Sequence, residues 1–182
     1  WLLRRSILEI VCLDLEGVLV PEIWISVAEK TRIDGLRVTT RDIADYDELM
    51  KQRLQIVNKN KLDISVIRDV INELEPFEGA RDFLDNLRRN FQVIILSDTF
   101  YEFAEPLIEK LGYPTLFCHR LKIDDEGVIL DYNLRMPDHK REAVKAFHSL
   151  QYTVYAAGDS FNDTGMLNEA DFGFLFRAPE NV

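Results

Sequence analysis

The run from Ile7 to Leu13 is almost unbroken in Ile, Val, Leu and Cys, the pattern of a strand covered on both faces in a parallel sheet. Phe91 to Leu96, Tyr152 to Ala157 and Phe172 to Phe176 share that character, and each lies near a segment with helical spacing. Strands alternating with helices predict an α/β fold built on a doubly wound parallel sheet. Ligands in such sheets bind beyond the carboxyl ends of the strands, where this chain carries Asp14, Ser97-Asp98 and Gly158-Asp159.

Between Pro21 and Pro76 the pattern changes to helices with no strand run between them, and Pro21 suits a first helical position. Tyr46, Met50, Leu54 and Val57 form an apolar stripe at steps of three and four. The expected organisation is therefore an α/β core of residues 1–20 and 77–182, with residues 21–76 inserted after the first strand as a helical cap. From Arg120 to Arg135, alternation around Asp124-Asp125-Glu126-Gly127 predicts a small β-hairpin. No internal repeat or low-complexity segment interrupts this order.

Composition narrows the partners. With 182 residues, 47% of them hydrophobic, the chain can bury one substantial core. Its net charge of −10 argues against general affinity for nucleic-acid backbones or anionic membranes, so a phosphorylated substrate would need local positive charge. Cys12 and Cys118 each sit inside an apolar run and read as buried core thiols, not as a disulfide or a zinc site. No stretch reaches the roughly 20 apolar residues of a membrane helix. Trp1-Leu2-Leu3-Arg4-Arg5 is too short for a signal peptide, which makes a reducing cytoplasm the default expectation.

Four polar segments each end a core strand or open a loop. Asp14-Leu15-Glu16-Gly17-Val18 offers two carboxylates at i and i+2, one able to attack phosphorus and one able to move a proton, though such pairs also form ordinary turns. Ser97-Asp98-Thr99 precedes a helix expected to start near Phe100; a hydroxyl and amides there bind phosphate oxygens, or simply cap the helix. Lys140 fronts a helix running through Val144 and Phe147, where it is either a phosphate partner or a surface lysine. The most specific segment is Gly158-Asp159-Ser160-Phe161-Asn162-Asp163, because two carboxylates and an amide packed behind a buried strand are costly to desolvate without a cation. His119, His139 and His148 have no mutual spacing that suggests a shared site, and read as structural or surface residues.

The order Asp-x-Glu-Gly-Val, Ser-Asp-Thr, Lys, then Gly-Asp-Ser-x-Asn-Asp resembles the four motifs of the haloacid dehalogenase superfamily, and the resemblance covers nearly the whole chain. Within it, the runs Leu13 to Glu22 and Leu96 to Glu102 resemble the phosphoserine phosphatases, especially the branch that also transfers phosphate from phosphoserine to homoserine. Most relatives carry a second Asp where this chain has Glu16. The resemblance implies that Asp14 is the nucleophile and Glu16 the proton carrier. It further implies that Mg²⁺ is held by the Asp14 carboxylate, the Glu16 carbonyl and the Asp159 carboxylate, with Asp163 supporting that shell or orienting Lys140. Ser97, Asp98, Lys140 and Asn162 would serve the phosphoryl group, while Glu22 and Arg53 would meet the ammonium and carboxylate of the substrate. Arg53 lies four residues after Leu49, at the edge of the apolar stripe, and Glu22 suits a first helical turn for electrostatic reasons alone.

The expected partners are a small-molecule substrate, phosphoserine, with homoserine as a second acceptor; nucleic acid and membrane are not expected, and a homodimer stays open. Two alternatives remain at this point. One is a phosphatase of another small phosphomonoester. The other is a phospho-accepting receiver domain, against which stand the inserted helices and the late acid cluster. The chain stops at Asn181-Val182, where continuation into a further helix or strand is expected.

Overall fold

The computed structural model describes residues 8–40, 42–43 and 45–182. Ile7 and the opening run Trp1 to Arg5 lie outside them. Strand β1 (Leu8–Leu13) sits between β2 (Gln92–Phe100) and β5 (Tyr152–Gly158) and pairs in parallel with both. Because side chains alternate along a strand, Ile10 and Cys12 pack on one face with Val154, Ala156 and Val144, while Val11 and Leu13 pack on the other with the larger apolar cluster. Burial on both faces is why this run reads as continuous apolar sequence.

The whole sheet has the order β4-β3-β2-β1-β5-β6. β3 (Thr115–Ile123) runs parallel to β2 and then pairs antiparallel with β4 (Ile129–Asn133), forming the expected hairpin; Gly127, with φ +86°, takes the turn position that a side chain would strain. The chain builds outward from β1 through β2 and β3, then returns to the other side of β1 at β5. The crevice at that reversal is the binding position of a doubly wound sheet.

Helix α4 (Ala80–Leu87) leads into β2, while α5 (Tyr101–Lys110), α6 (His139–Ser149) and α7 (Thr164–Glu169) come after β2, β4 and β5. Between β1 and α4 lie α1 (Ile23–Thr31), α2 (Tyr46–Lys59) and α3 (Ile64–Glu73). Asp45 caps α2 by accepting the Glu48 N–H, and Asp63 caps α3 by accepting those of Ser65 and Val66. Trp24, Val27, Met50, Val57 and Ile67 of these helices join the same cluster as Val11 and Leu13, so one apolar core runs from the sheet into the insertion.

Four local expectations change. Pro21 precedes the helix: the N-cap is Glu22 and the first helical residue Ile23, which places Glu22 outside the first turn. On α2 the buried residues are Leu49, Met50, Arg53 and Val57, so Arg53 lies within the stripe and not at its edge, and Leu54 is only partly covered. Ser97-Asp98-Thr99 is not a helix start; it belongs to β2, whose register against β3 breaks between Leu96 and Phe100, and α5 begins at Tyr101. β6 (Phe172–Leu175) is not a covered strand but the edge of the sheet, with Phe172, Phe174 and Leu175 each about half exposed (49%, 55% and 53%).

Candidate active site

The backbone N–H of Asp14 donates to the Ala157 carbonyl at 2.9 Å, continuing the β1–β5 ladder one residue beyond the strand. That bond sets Asp14 beside Gly158-Asp159 at the reversal point of the sheet. The local packing needs both glycines. A Cβ on Gly17, whose φ is +79°, would fall on the Asp159 carboxylate, and one on Gly158 would fall on Asp163.

Lys140, the second residue of α6, is 2% exposed and directs its ammonium into this loop cluster. Its Nζ donates to Asp163 Oδ1 at 2.7 Å and Asp14 Oδ1 at 3.0 Å, and lies 3.3 Å from Asp98 Oδ2. Burial works against the charge, but Asp14, Asp163 and Asp98 more than offset it and hold the ammonium well above its ordinary pKa. Lys140 is therefore a buried cation and not a surface lysine. The Asp14 pKa is raised as well: burial, then Asp163, lift its carboxyl well above the usual range against the pull of Lys140.

Carboxylate oxygens of Asp14, Asp159 and Asp163 lie within 4.8 Å of one another, a donor set of hard oxygen atoms that suits Mg²⁺. Asp163 is already engaged: its Oδ2 accepts the Asp159 and Ser160 N–H groups at 2.9 and 3.0 Å, and its Oδ1 accepts Lys140. It also forms a reciprocal capping box with Ser160. Through these bonds Asp163 braces the loop, and the three carboxylates together could hold such an ion.

Glu16 Oε2 accepts the Ile23 N–H at 2.8 Å, which fixes where α1 begins. Burial, followed by the nearby Glu22 charge, raises its carboxyl to about 7. Ser97 is buried, and its Oγ accepts the Thr99 N–H at 3.2 Å. Asp98 Oδ2 accepts the Asn162 amide at 2.6 Å, while Asn162 Oδ1 accepts the Ser160 hydroxyl at 2.5 Å.

Asp14, Glu16, Glu22, Arg53, Ser97 and Asp159 all line one cavity, so segments far apart in sequence converge there. The Arg53 guanidinium donates to the Val38 carbonyl at 2.9 Å and stacks 4.9 Å over the Trp24 ring, but its buried Nε has no hydrogen-bond partner among the described residues. Burial lowers its pKa, opposed by Glu16, Tyr46 and Glu22.

Sequence reasoning missed several contributors. Trp24 and Tyr46 line the cavity, and the Tyr46 hydroxyl donates to the Asp98 carbonyl at 2.7 Å; an apolar stripe conceals such a hydroxyl. His119 and His139, read as isolated, are 2% and 4% exposed and face the same oxygen, Asp98 Oδ1. His148 does stand apart, paired with Asp171. Cys12 and Cys118 are buried free thiols as expected, and burial pushes Cys12 up to about 12.

Comparison with known proteins places the chain in a family. Residues 8–171 match the family described as haloacid dehalogenase-like hydrolase. The phosphoserine phosphatase ThrH of Pseudomonas aeruginosa is 62% identical over 175 residues, covering 96% of this chain and 85% of the relative. A phosphoserine phosphatase of Pseudomonas syringae pv. tomato is 62% identical over 174 residues, covering 96% and 73%. A solved phospho-aspartyl intermediate analogue of phosphoserine phosphatase superposes with a TM-score of 0.78 at 21% identity, covering 95% of this chain and 88% of that one. A substrate-bound phosphoserine phosphatase complex gives 0.78 at 20% identity, covering 96% and 88%. At those identities the structures establish the fold alone. The family match and the inserted helices set the receiver-domain alternative aside, and the chain belongs to the haloacid dehalogenase-like hydrolases, within their phosphoserine phosphatase family.

Proposed function

We propose that this chain is a Mg²⁺-dependent phosphoserine phosphatase working through an aspartyl phosphate on Asp14. The observation that carries the reading is the buried Asp14 carboxylate, 3.0 Å from Lys140 Nζ and clustered with Asp159 and Asp163, in a cavity that Arg53 also lines. The carboxylates that line this cavity, Asp14, Glu16, Glu22, Asp98 and Asp159, outnumber the buried cations Lys140 and Arg53, which supports a divalent ion held by Asp14, Asp159 and the Glu16 carbonyl. That ion, when bound, supplies charge neutralisation for the transferring group.

In the first displacement an Asp14 carboxylate oxygen attacks phosphorus, and the bond from phosphorus to the serine oxygen breaks. Glu16 gives its proton to that oxygen. In the second, Glu16 takes a proton from water, the water oxygen attacks phosphorus, and the Asp14–phosphorus bond breaks to release inorganic phosphate. A carboxyl raised to about 7 is suited to both duties. Lys140, Ser97 and Asn162 steady the phosphoryl oxygens, and residues 21–76 act as a cap over the site. The Arg53 guanidinium, whose buried Nε has no partner among the described residues, fits the substrate carboxylate, and Glu22 in the same cavity fits its ammonium.

The finer part of the reading is that the intermediate also passes its phosphoryl group to homoserine. Homoserine is one methylene longer than serine, a difference that pockets discriminate by only about 1–3 kcal/mol, and the same Glu16 base can serve its hydroxyl. Phosphorus NMR of phosphoserine, Mg²⁺ and excess homoserine should show phosphohomoserine; no new phosphomonoester signal would leave a plain phosphatase.

The test of the main reading is inorganic phosphate release over many turnovers from phosphoserine and from a panel of other small phosphomonoesters, with and without Mg²⁺. Phosphoserine should be preferred and Mg²⁺ required. Preference for another ester would keep the enzyme class and overturn the substrate.

A further inference from the structure

Asp98 is an awkward residue to find next to a phosphoryl site, since an anionic carboxylate there repels a phosphate dianion and competes for its cation. The structure shows how it is restrained. Its Oδ1 faces two imidazoles, His139 Nε2 at 3.1 Å and His119 Nε2 at 3.4 Å. Its Oδ2 takes Asn162 Nδ2 at 2.6 Å and lies 3.3 Å from Lys140 Nζ, and its backbone carbonyl takes the Tyr46 hydroxyl. The two histidine rings pack edge to face with centroids 4.5 Å apart, so neither can turn without displacing the other.

The same three side chains, Asp98, His119 and His139, could by composition ligate a metal. The hydrogen bond behind His119 argues otherwise. Its Nδ1 accepts the Arg135 N–H at 3.1 Å, so the ring proton of the neutral imidazole sits on Nε2, the atom that would have to be bare to bind a cation. A carboxylate only accepts, which places a proton on His139 Nε2 as well.

We propose that His119 and His139 are positioning residues for the phosphoryl site, each donating its Nε2–H to Asp98 Oδ1 so that Asp98 Oδ2 orients Asn162 and Lys140 without advancing on the substrate. Lys140 has three N–H donors, and its three carboxylate neighbours are Asp163, Asp14 and Asp98 at 2.7, 3.0 and 3.3 Å. The longest of these contacts is the one that yields when a phosphoryl oxygen arrives. The histidines keep Asp98 from following Lys140 toward the dianion. This inference rests on the phosphatase reading above but not on which phosphomonoester is the substrate.

The experiment combines imidazole nitrogen NMR on the wild-type protein with kinetics of His139→Leu, His139→Gln, His119→Leu and His119→Gln on the best ester of the panel. Both rings should carry the proton on Nε2. The Leu variants should lose activity on the order of 10- to 100-fold, as supporting hydrogen-bond partners of a reactive group typically do. Gln, which keeps an N–H at that reach, should recover most of the loss. In Asp98→Asn the Leu changes should cost nothing further. Nε2 found bare, Leu variants as active as wild type, Gln variants no better than Leu, or a stoichiometric transition metal on the two histidines would each overturn the proposal. If the Leu variants fail to fold, the NMR tautomers and the Gln variants alone decide it. Failure of the substrate assignment would show separately, as loss of phosphoserine preference in the wild type.

Discussion

Glu16 Oε2 accepts the Ile23 N–H at 2.8 Å, so the carboxylate next along from Asp14 also starts the first helix of the insertion. Glu16→Gln keeps an oxygen for that N–H but cannot move a proton. We expect turnover to fall by about 10²–10⁴, the usual worth of general acid-base help, with little change in melting temperature. Glu16→Ala should lose both. Equal melting temperatures for Ala and Gln would show that the capping bond is unimportant to the insertion.

Lys140 is the cation that lets Asp14, Asp163 and Asp98 share one buried space. Lys140→Met should abolish activity and destabilise the metal-free protein by roughly 3–5 kcal/mol, because breaking a buried pair leaves uncompensated charge. Urea denaturation checks this. Mg²⁺ should restore part of the stability by binding the native state, and an unchanged midpoint in metal-free buffer would contradict the burial argument.

Much of this arrangement is legible in the chain itself. Leu8–Leu13 announces itself as a continuous apolar run because a central parallel strand is covered on both faces, Tyr152–Gly158 reads similarly though one of its faces is only partly covered, and the polar residues that end them are the ones the structure gathers. Ser97-Asp98-Thr99 hides its strand character because polar residues inside a strand read as a cap. Phe172–Leu175 reads like a core strand, since composition does not distinguish an edge from a centre. His119 and His139 come from β3 and α6, and only the folded sheet brings both to Asp98.

Arg53→Ala removes the guanidinium whose Nε is buried without a partner among the described residues. Catalytic efficiency toward phosphoserine should fall by a factor equivalent to about 2–5 kcal/mol, with far less effect on a simple alkyl phosphate. An equal loss on both would assign Arg53 to the phosphoryl group or to the fold.

His139 offers a pH test that does not involve turnover. Burial lowers its pKa from the ordinary 6.5, opposed by Asp98 and reinforced by His119 and Lys140. The unfolded chain therefore binds a proton that the native protein refuses, so the stability tied to neutral His139 is present above about pH 6.5 and is lost as pH falls below it. Urea midpoints between about pH 5 and 7.5 should drop less steeply toward acid in His139→Gln than in the wild type. Parallel curves would mean that the histidine is not held neutral.

Rapid quenching of a single turnover with labelled phosphoserine and Mg²⁺, followed by mass spectrometric mapping, asks the central question directly. The expected result is an acyl phosphate on Asp14 that forms and decays at rates consistent with turnover, and that is absent along with all activity in Asp14→Asn. Phosphate release with no protein-bound label, or label on Asp159 or Asp163 with Asp14 unmodified, would contradict the account.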